Sequence, residues 1–101
     1  MNNNQLIMAK NIEDLVEKID RAKLEKNNIR RIDIQYIHID HVWVYKVIKN
    51  DGIYLGLESK KPIIADIMEK LNYKGINSVL QIRENDRIDI LWLDYGDNIQ
   101  N

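Results

Sequence analysis

The chain of 101 residues contains no cysteine. Disulfides and thiolate metal sites are therefore excluded, and the redox compartment is left open. No apolar run approaches the roughly 18 residues that a membrane span requires. The opening residues Met1-Asn2-Asn3-Asn4-Gln5 lack the basic start and long apolar stretch of a signal peptide, so a cytoplasmic protein is the expectation. Neither sign of charge dominates. The net charge is −1, and the charged residues are interspersed as on an ordinary solvated surface. A domain-wide basic excess, the usual footprint of nucleic-acid binding, is missing. So are a nucleophile motif, a phosphate-cradling glycine loop and a dinucleotide fingerprint. No internal repeat, linker or low-complexity segment divides the chain. Residues 1–101 read as one domain, large enough for a modest core.

What the chain does have is asparagine, isoleucine and lysine, together roughly two residues in five. Their codons are A/T-rich, which points to an A/T-rich bacterial, phage or archaeal genome. This concerns ancestry rather than chemistry.

The stretch 30–58 organises the rest. Ile32, Ile34 and Tyr36 alternate with Asp33 and Gln35, and Ile53, Leu55 and Leu57 alternate with Tyr54 and Gly56. That period belongs to strands with one buried face. Between them, 42–49 is apolar on both parities, as in a central strand. Asn50-Asp51-Gly52 supplies residues that tolerate positive φ, as a tight hairpin needs. Three antiparallel strands are expected here. The parity of the first changes at Tyr36-Ile37, which predicts a bulge there or partial cover on both faces.

Before them, Asn11 reads as an N-cap with Asp14 three residues on. Ile12, Leu15, Val16, Ile19, Ala22 and Leu24 form a helical stripe that ends near Asn27-Asn28. Residues 1–10 are expected to be a flexible arm. After the strands, Ser59 or Lys61 is expected to cap a second helix with Pro62 in its first turn and a stripe of Ile63, Ile64, Ile67, Met68 and Leu71. Gly75 and Ile76 read as its stop. A second hairpin turns at Asn85-Asp86, and residues 95–101 read as a loose tail. The order is α-β-β-β-α-β-β. The fold class is α+β, a two-layer sandwich with a largely antiparallel five-stranded sheet and both helices on one face.

Three constellations bear on function. In the first, a hairpin about Asn50-Asp51-Gly52 would bring Asp40 near Glu58 and Lys60. Two carboxylates can hold Mg²⁺ with water in its other positions, and a neighbouring lysine can polarise an attacking water. With these residues, the helix–three strands–helix–strand order over about residues 12–84 resembles the core of the PD-(D/E)xK nucleases. The resemblance implies Asp40 and Glu58 as metal ligands and Lys60 as the catalytic lysine, with Glu13 or Glu17 as an extra ligand. The chain departs from the family pattern where Ile39, not proline, precedes Asp40. In the second constellation, His38, Asp40 and His41 suggest either a transition-metal site or a polar hairpin end.

The third is aromatic. If Ile32, Val44, Ile53, Leu55, Ile82 and Ile90 face the helices, then Trp43, Tyr45, Tyr54, Leu91 and Leu93 form an open apolar face. Such a face, fringed by Asp33, Glu58 and Asp89, suits a protein partner or a second copy better than nucleic acid. The leading expectation is a small cytosolic module that binds another macromolecule without catalysis or cofactor, of the kind a mobile element encodes as an anti-defence inhibitor or an immunity protein. The alternatives are a minimal Mg-dependent nuclease using Asp40, Glu58 and Lys60, and a homodimeric structural domain. No membrane partner is expected.

Overall fold

The computed structural model describes residues 7–24, 29–50 and 52–92. The Asn27-Asn28 helix stop, Asp51, Leu93 and the tail 95–101 lie outside the described residues. The elements follow the expected order: α1 (Ile12–Leu24), β1 (Ile29–Ile37), β2 (Val42–Lys49), β3 (Gly52–Ser59), α2 (Ile64–Tyr73), β4 (Ser78–Glu84) and β5 (Arg87–Trp92). The strands form one antiparallel sheet in the order β3-β2-β1-β5-β4.

Local chemistry sets the helix ends. The Asn11 Oδ1 accepts a hydrogen bond from the Asp14 N–H at 2.8 Å, while the Asp14 carboxylate reaches back to the Lys10 N–H at 2.9 Å. The first bond satisfies a donor that the first turn of α1 leaves without a helical partner, and the second ties the residue before the cap to that turn. At the far end of α2, Ile76 N–H donates to Leu71 O and Gly75 N–H to Asn72 O, each at 2.9 Å. These are the paired bonds of a Schellman stop. Gly75 has φ +82°, where a Cβ would be strained, and Ile76 tucks into the core beside Leu71.

The start of α2 departs from expectation. The helix begins at Ile64, one residue after Ile63, and Ile63 has no side-chain cap. Pro62 therefore precedes the helix instead of sitting in its first turn. Ser59 donates to Lys61 O, tying down the connection without capping the helix. The anchor comes from the sheet: the Ile63 N–H donates to the Tyr45 hydroxyl at 3.0 Å.

The core joins one face of the sheet to both helices. Leu15, Val16, Ile19 and Ala22 from α1 and Ile67 and Leu71 from α2 meet Ile32, Ile34, Tyr45, Val47, Leu55, Leu57 and Ile90. This corrects the expected parity of β2. Tyr45 and Val47 face the helices, because Tyr45 pairs with Ile34 and Leu57, and Val47 with Ile32 and Leu55. Val44 pairs with Gln35 and Glu58 and so falls on the opposite face. Nor is there a bulge at Tyr36-Ile37, where Tyr36↔Trp43 and Ile37↔Val42 keep regular register. Irregularities fall instead at Arg30 in β1, at Tyr54 in β3 and at Arg83 in β4. The two sheet edges differ. Gly56 on β3 bonds Ile7 O and the Ala9 N–H, a parallel bridge that covers this edge. The outer side of β4 has no such partner among the described residues.

Candidate functional site

Antiparallel pairing gathers several turns at one end of the sheet. The end of β1, the starts of β2 and β5, and the ends of β3 and β4 all lie there. The hairpin 38–41 is closed by Asp40 N–H to Ile37 O at 3.2 Å and His41 N–H to His38 O at 3.3 Å. His41 takes φ +54°, the left-handed residue that returns such a loop to its strand. Ile39 stands at the tip and is 86% exposed.

Beside this hairpin lies a cleft of about 470 Å³ lined by Tyr36, His38, Trp43, Glu84, Asn85 and Asp86. Tyr36 and Trp43 are cross-strand partners on the helix-facing side, with ring centroids 5.0 Å apart and tilted by 53°. His38 meets Tyr36 edge to face at 4.9 Å. The Tyr36 hydroxyl is 3.3 Å from His41 Nδ1, and His38 Nε2 is 3.2 Å from Asp86 Oδ2. Tyr36 N–H donates to Asp86 O at 3.0 Å, which fixes the second turn against the first strand. The walls are thus aromatic and the rim carries two carboxylates, with no lysine or arginine in the lining. Such a recess favours a cation, because ring quadrupoles and carboxylates both attract positive charge.

The residues singled out in the sequence fall in different places. Trp43 is half-buried, packs against the core and lines the cleft. Tyr45 is fully buried, so it cannot touch a partner. Its position overturns the expected open face of Trp43, Tyr45 and Tyr54. Tyr54, the extra residue of the β3 bulge, packs against the core with Lys49 Nζ 5.6 Å from its ring centroid. Leu91, paired with Arg31 and Val79, is half-buried on the face away from the helices. Asp40, Glu58 and Lys60 are all exposed at the turn end. Among the described residues, no hydrogen bond or ion pair joins any two of them. The described residues also contain no group of three or more His, Asp or Glu placed to hold a metal ion.

Sequence reasoning missed Tyr36, Glu84 and Asp86 as a site. A signal existed for the aromatic pair, since a four-residue loop at 38–41 sets Tyr36 opposite Trp43. The acidic side depends on β1–β5 pairing between distant segments, for which the sequence carries no local sign. No family model, curated protein or solved structure matches this chain. No helix among the described residues is long and apolar enough to cross a membrane.

Proposed function

We propose that this protein works by binding another protein, without catalysis, and that the aromatic and acidic cleft receives an arginine or lysine side chain of that partner. The observation that carries the reading is the lining itself. Tyr36 and Trp43 present ring surface while Glu84 and Asp86 present negative charge around one recess. A guanidinium or ammonium group satisfies both at once. Ile39 at the neighbouring hairpin tip adds an exposed apolar contact beside the cleft. A small domain using such a patch fits the inhibitor or immunity role expected from the sequence. The partner is then recognised through a protruding basic residue.

The test is a two-dimensional NMR titration with an arginine-containing peptide and, separately, a lysine-containing one. The Trp43 indole N–H is expected to shift, whereas the Trp92 indole, which donates to Ile29 O at 3.1 Å, is expected to stay fixed. The double substitution Glu84→Gln, Asp86→Asn is expected to weaken binding while leaving the spectrum dispersed. If neither peptide moves Trp43, or the double variant binds equally well, the cleft is not a cation site and the proposal fails.

A further inference from the structure

The β4 edge of the sheet supports a second inference, independent of the cleft. Among the described residues β4 pairs only with β5, and it exposes Leu80 at 46% and Ile82 at 74%. Exposed apolar residues on an unpaired edge invite another strand unless charge or a bulge blunts them. Here the bulge at Arg83 and the charges of Arg83 and Glu84 fall only at the end of the strand.

The alternation of backbone bonds shows which groups face outward. Tyr36 N–H donates to Asp86 O, and this pair continues the register Gln35↔Arg87. The even-numbered residues of β5 therefore turn their polar groups toward β1, and Asp89 and Leu91 turn theirs toward β4. Those two meet Gln81 and Val79. The N–H and C=O of Leu80 and Ile82 consequently point away from the sheet. In a buried setting they would require partners.

We infer that β4 pairs antiparallel with β4 of a second copy about a two-fold axis at Gln81, so that the two sheets become continuous. This register sets Leu80 of one copy opposite Ile82 of the other, with the outward backbone groups of each meeting in hydrogen-bonded pairs. It also prolongs the apolar row of Ile88 and Ile90, which lie beside Ile82 and Leu80 on β5. Regular pairing ends at Ile82, where the bulge begins, and leaves Arg83 and Glu84 near Val79 and Ser78 of the other copy, so no like charges face each other. A slide of one residue misaligns the backbone groups. A slide of two sets Ile82 against Ser78, or Leu80 against Glu84. Each of those slides keeps one apolar pair, Leu80 with Leu80 or Ile82 with Ile82, whereas the register centred on Gln81 keeps two.

The absence of cysteine makes the test clean, because Gln81→Cys carries the molecule's single thiol. At the axis, that thiol lies opposite its own copy in a pair that bonds nowhere through the backbone, where side chains come closest. Mild oxidation is expected to give a covalent dimer with Gln81→Cys and little with Val79→Cys. Sedimentation is expected to show a concentration-dependent dimer for the unmodified chain. Ile82→Lys is expected to give a monomer with an unchanged circular dichroism spectrum. A strict monomer at NMR concentrations overturns the inference, as does equal cross-linking at both positions. Should Ile82→Lys fail to fold, the comparison of the two exposed cysteine variants still decides. None of these outcomes depends on the cation titration of the cleft.

Discussion

The Tyr45 hydroxyl accepts the Ile63 N–H at 3.0 Å, so a central strand holds the entry to α2. The same oxygen lies 2.8 Å from Ser59 Oγ, and Ser59 in turn donates to the Lys61 carbonyl. With the serine proton committed to Lys61, the tyrosine proton must go to the serine oxygen. The bonds therefore run in one direction, from Ile63 through Tyr45 and Ser59 to Lys61. Each link polarises the next. Tyr45→Phe keeps the ring but strands the Ile63 N–H, and is expected to cost about 1–3 kcal/mol. Tyr45→Ala adds a cavity and is expected to cost about 3–5 kcal/mol, near the limit for a small domain. Urea denaturation checks both. A Tyr45→Phe variant as stable as the parent would show that the relay contributes nothing.

On the face away from the helices, Asp33 and Asp89 are directly opposed across β1 and β5. Like charges so placed repel. Arg83 lies between them, with Nη1 3.4 Å from Asp89 Oδ1 and 3.9 Å from Asp33 Oδ1, and Arg31 Nε is 3.9 Å from Asp89. The Asp89 side chain is only 6% exposed, which makes its counter-charges matter more than those of a surface pair. Arg83→Ala is expected to cost about 1–3 kcal/mol. Arg21→Ala, which breaks a solvent-exposed pair with Glu17 on α1, is expected to cost less than about 0.5 kcal/mol. Adding Asp33→Asn to Arg83→Ala is expected to recover part of the loss, as a double-mutant cycle by chemical denaturation would show.

Asp14 makes the stability depend on acid. Its carboxyl is held below the usual carboxylate range, first by the Lys18 ammonium 2.6 Å away and next by the Lys10 N–H. A carboxyl lowered in the folded state favours folding above its unfolded value and loses that effect as pH falls through the folded value. The contribution of Asp14 is thus complete at neutral pH and is lost progressively as pH falls below about 4 and through the lowered folded value. Asp14→Asn is expected to be less stable than the parent at pH 7, with the gap closing in strong acid. Parallel denaturation curves at several pH values test this. A gap that persists unchanged in acid would assign the effect to packing instead of charge.

How much of this was legible follows from the range of each signal. Asn11 with Asp14, and Gly75 with Ile76, act within a few residues, and the structure has both ends of this chemistry in place. The order of helices and strands along the chain followed from the spacing of apolar runs. The face of β2 did not, because Trp43, Val44, Tyr45, Val47 and Ile48 are apolar whichever way the strand turns. Lys46, in the middle of the strand, was an available marker, although Lys49 at its end falls on the other parity: Lys46 points away from the helices, opposite Asp33 and Gly56, and leaves Tyr45 to the core. Tyr36 and Trp43 are near in sequence, but Glu84 and Asp86 reach them only through the pairing of β1 with β5. A contact made over such a separation leaves no periodicity to read.

The metal-dependent reading makes its own prediction about Asp40 and Glu58. A Mg²⁺ site needs oxygen ligands converging at about 2.1 Å on one point, with waters filling the rest. Asp40 sits in the turn 38–41, held there by its N–H to Ile37 O. Glu58 extends from β3 on the face away from the helices, opposite Val44. No third carboxylate or imidazole completes a metal-binding group with them among the described residues. Mn²⁺ titration is therefore expected to broaden amide signals diffusely over exposed acidic positions, and Glu58→Ala is expected to change little. Selective broadening at Asp40 and Glu58 that disappears in Glu58→Ala would mean the hairpin closes on a cation. Lys60 would then be the residue to substitute in a DNA and RNA cleavage assay.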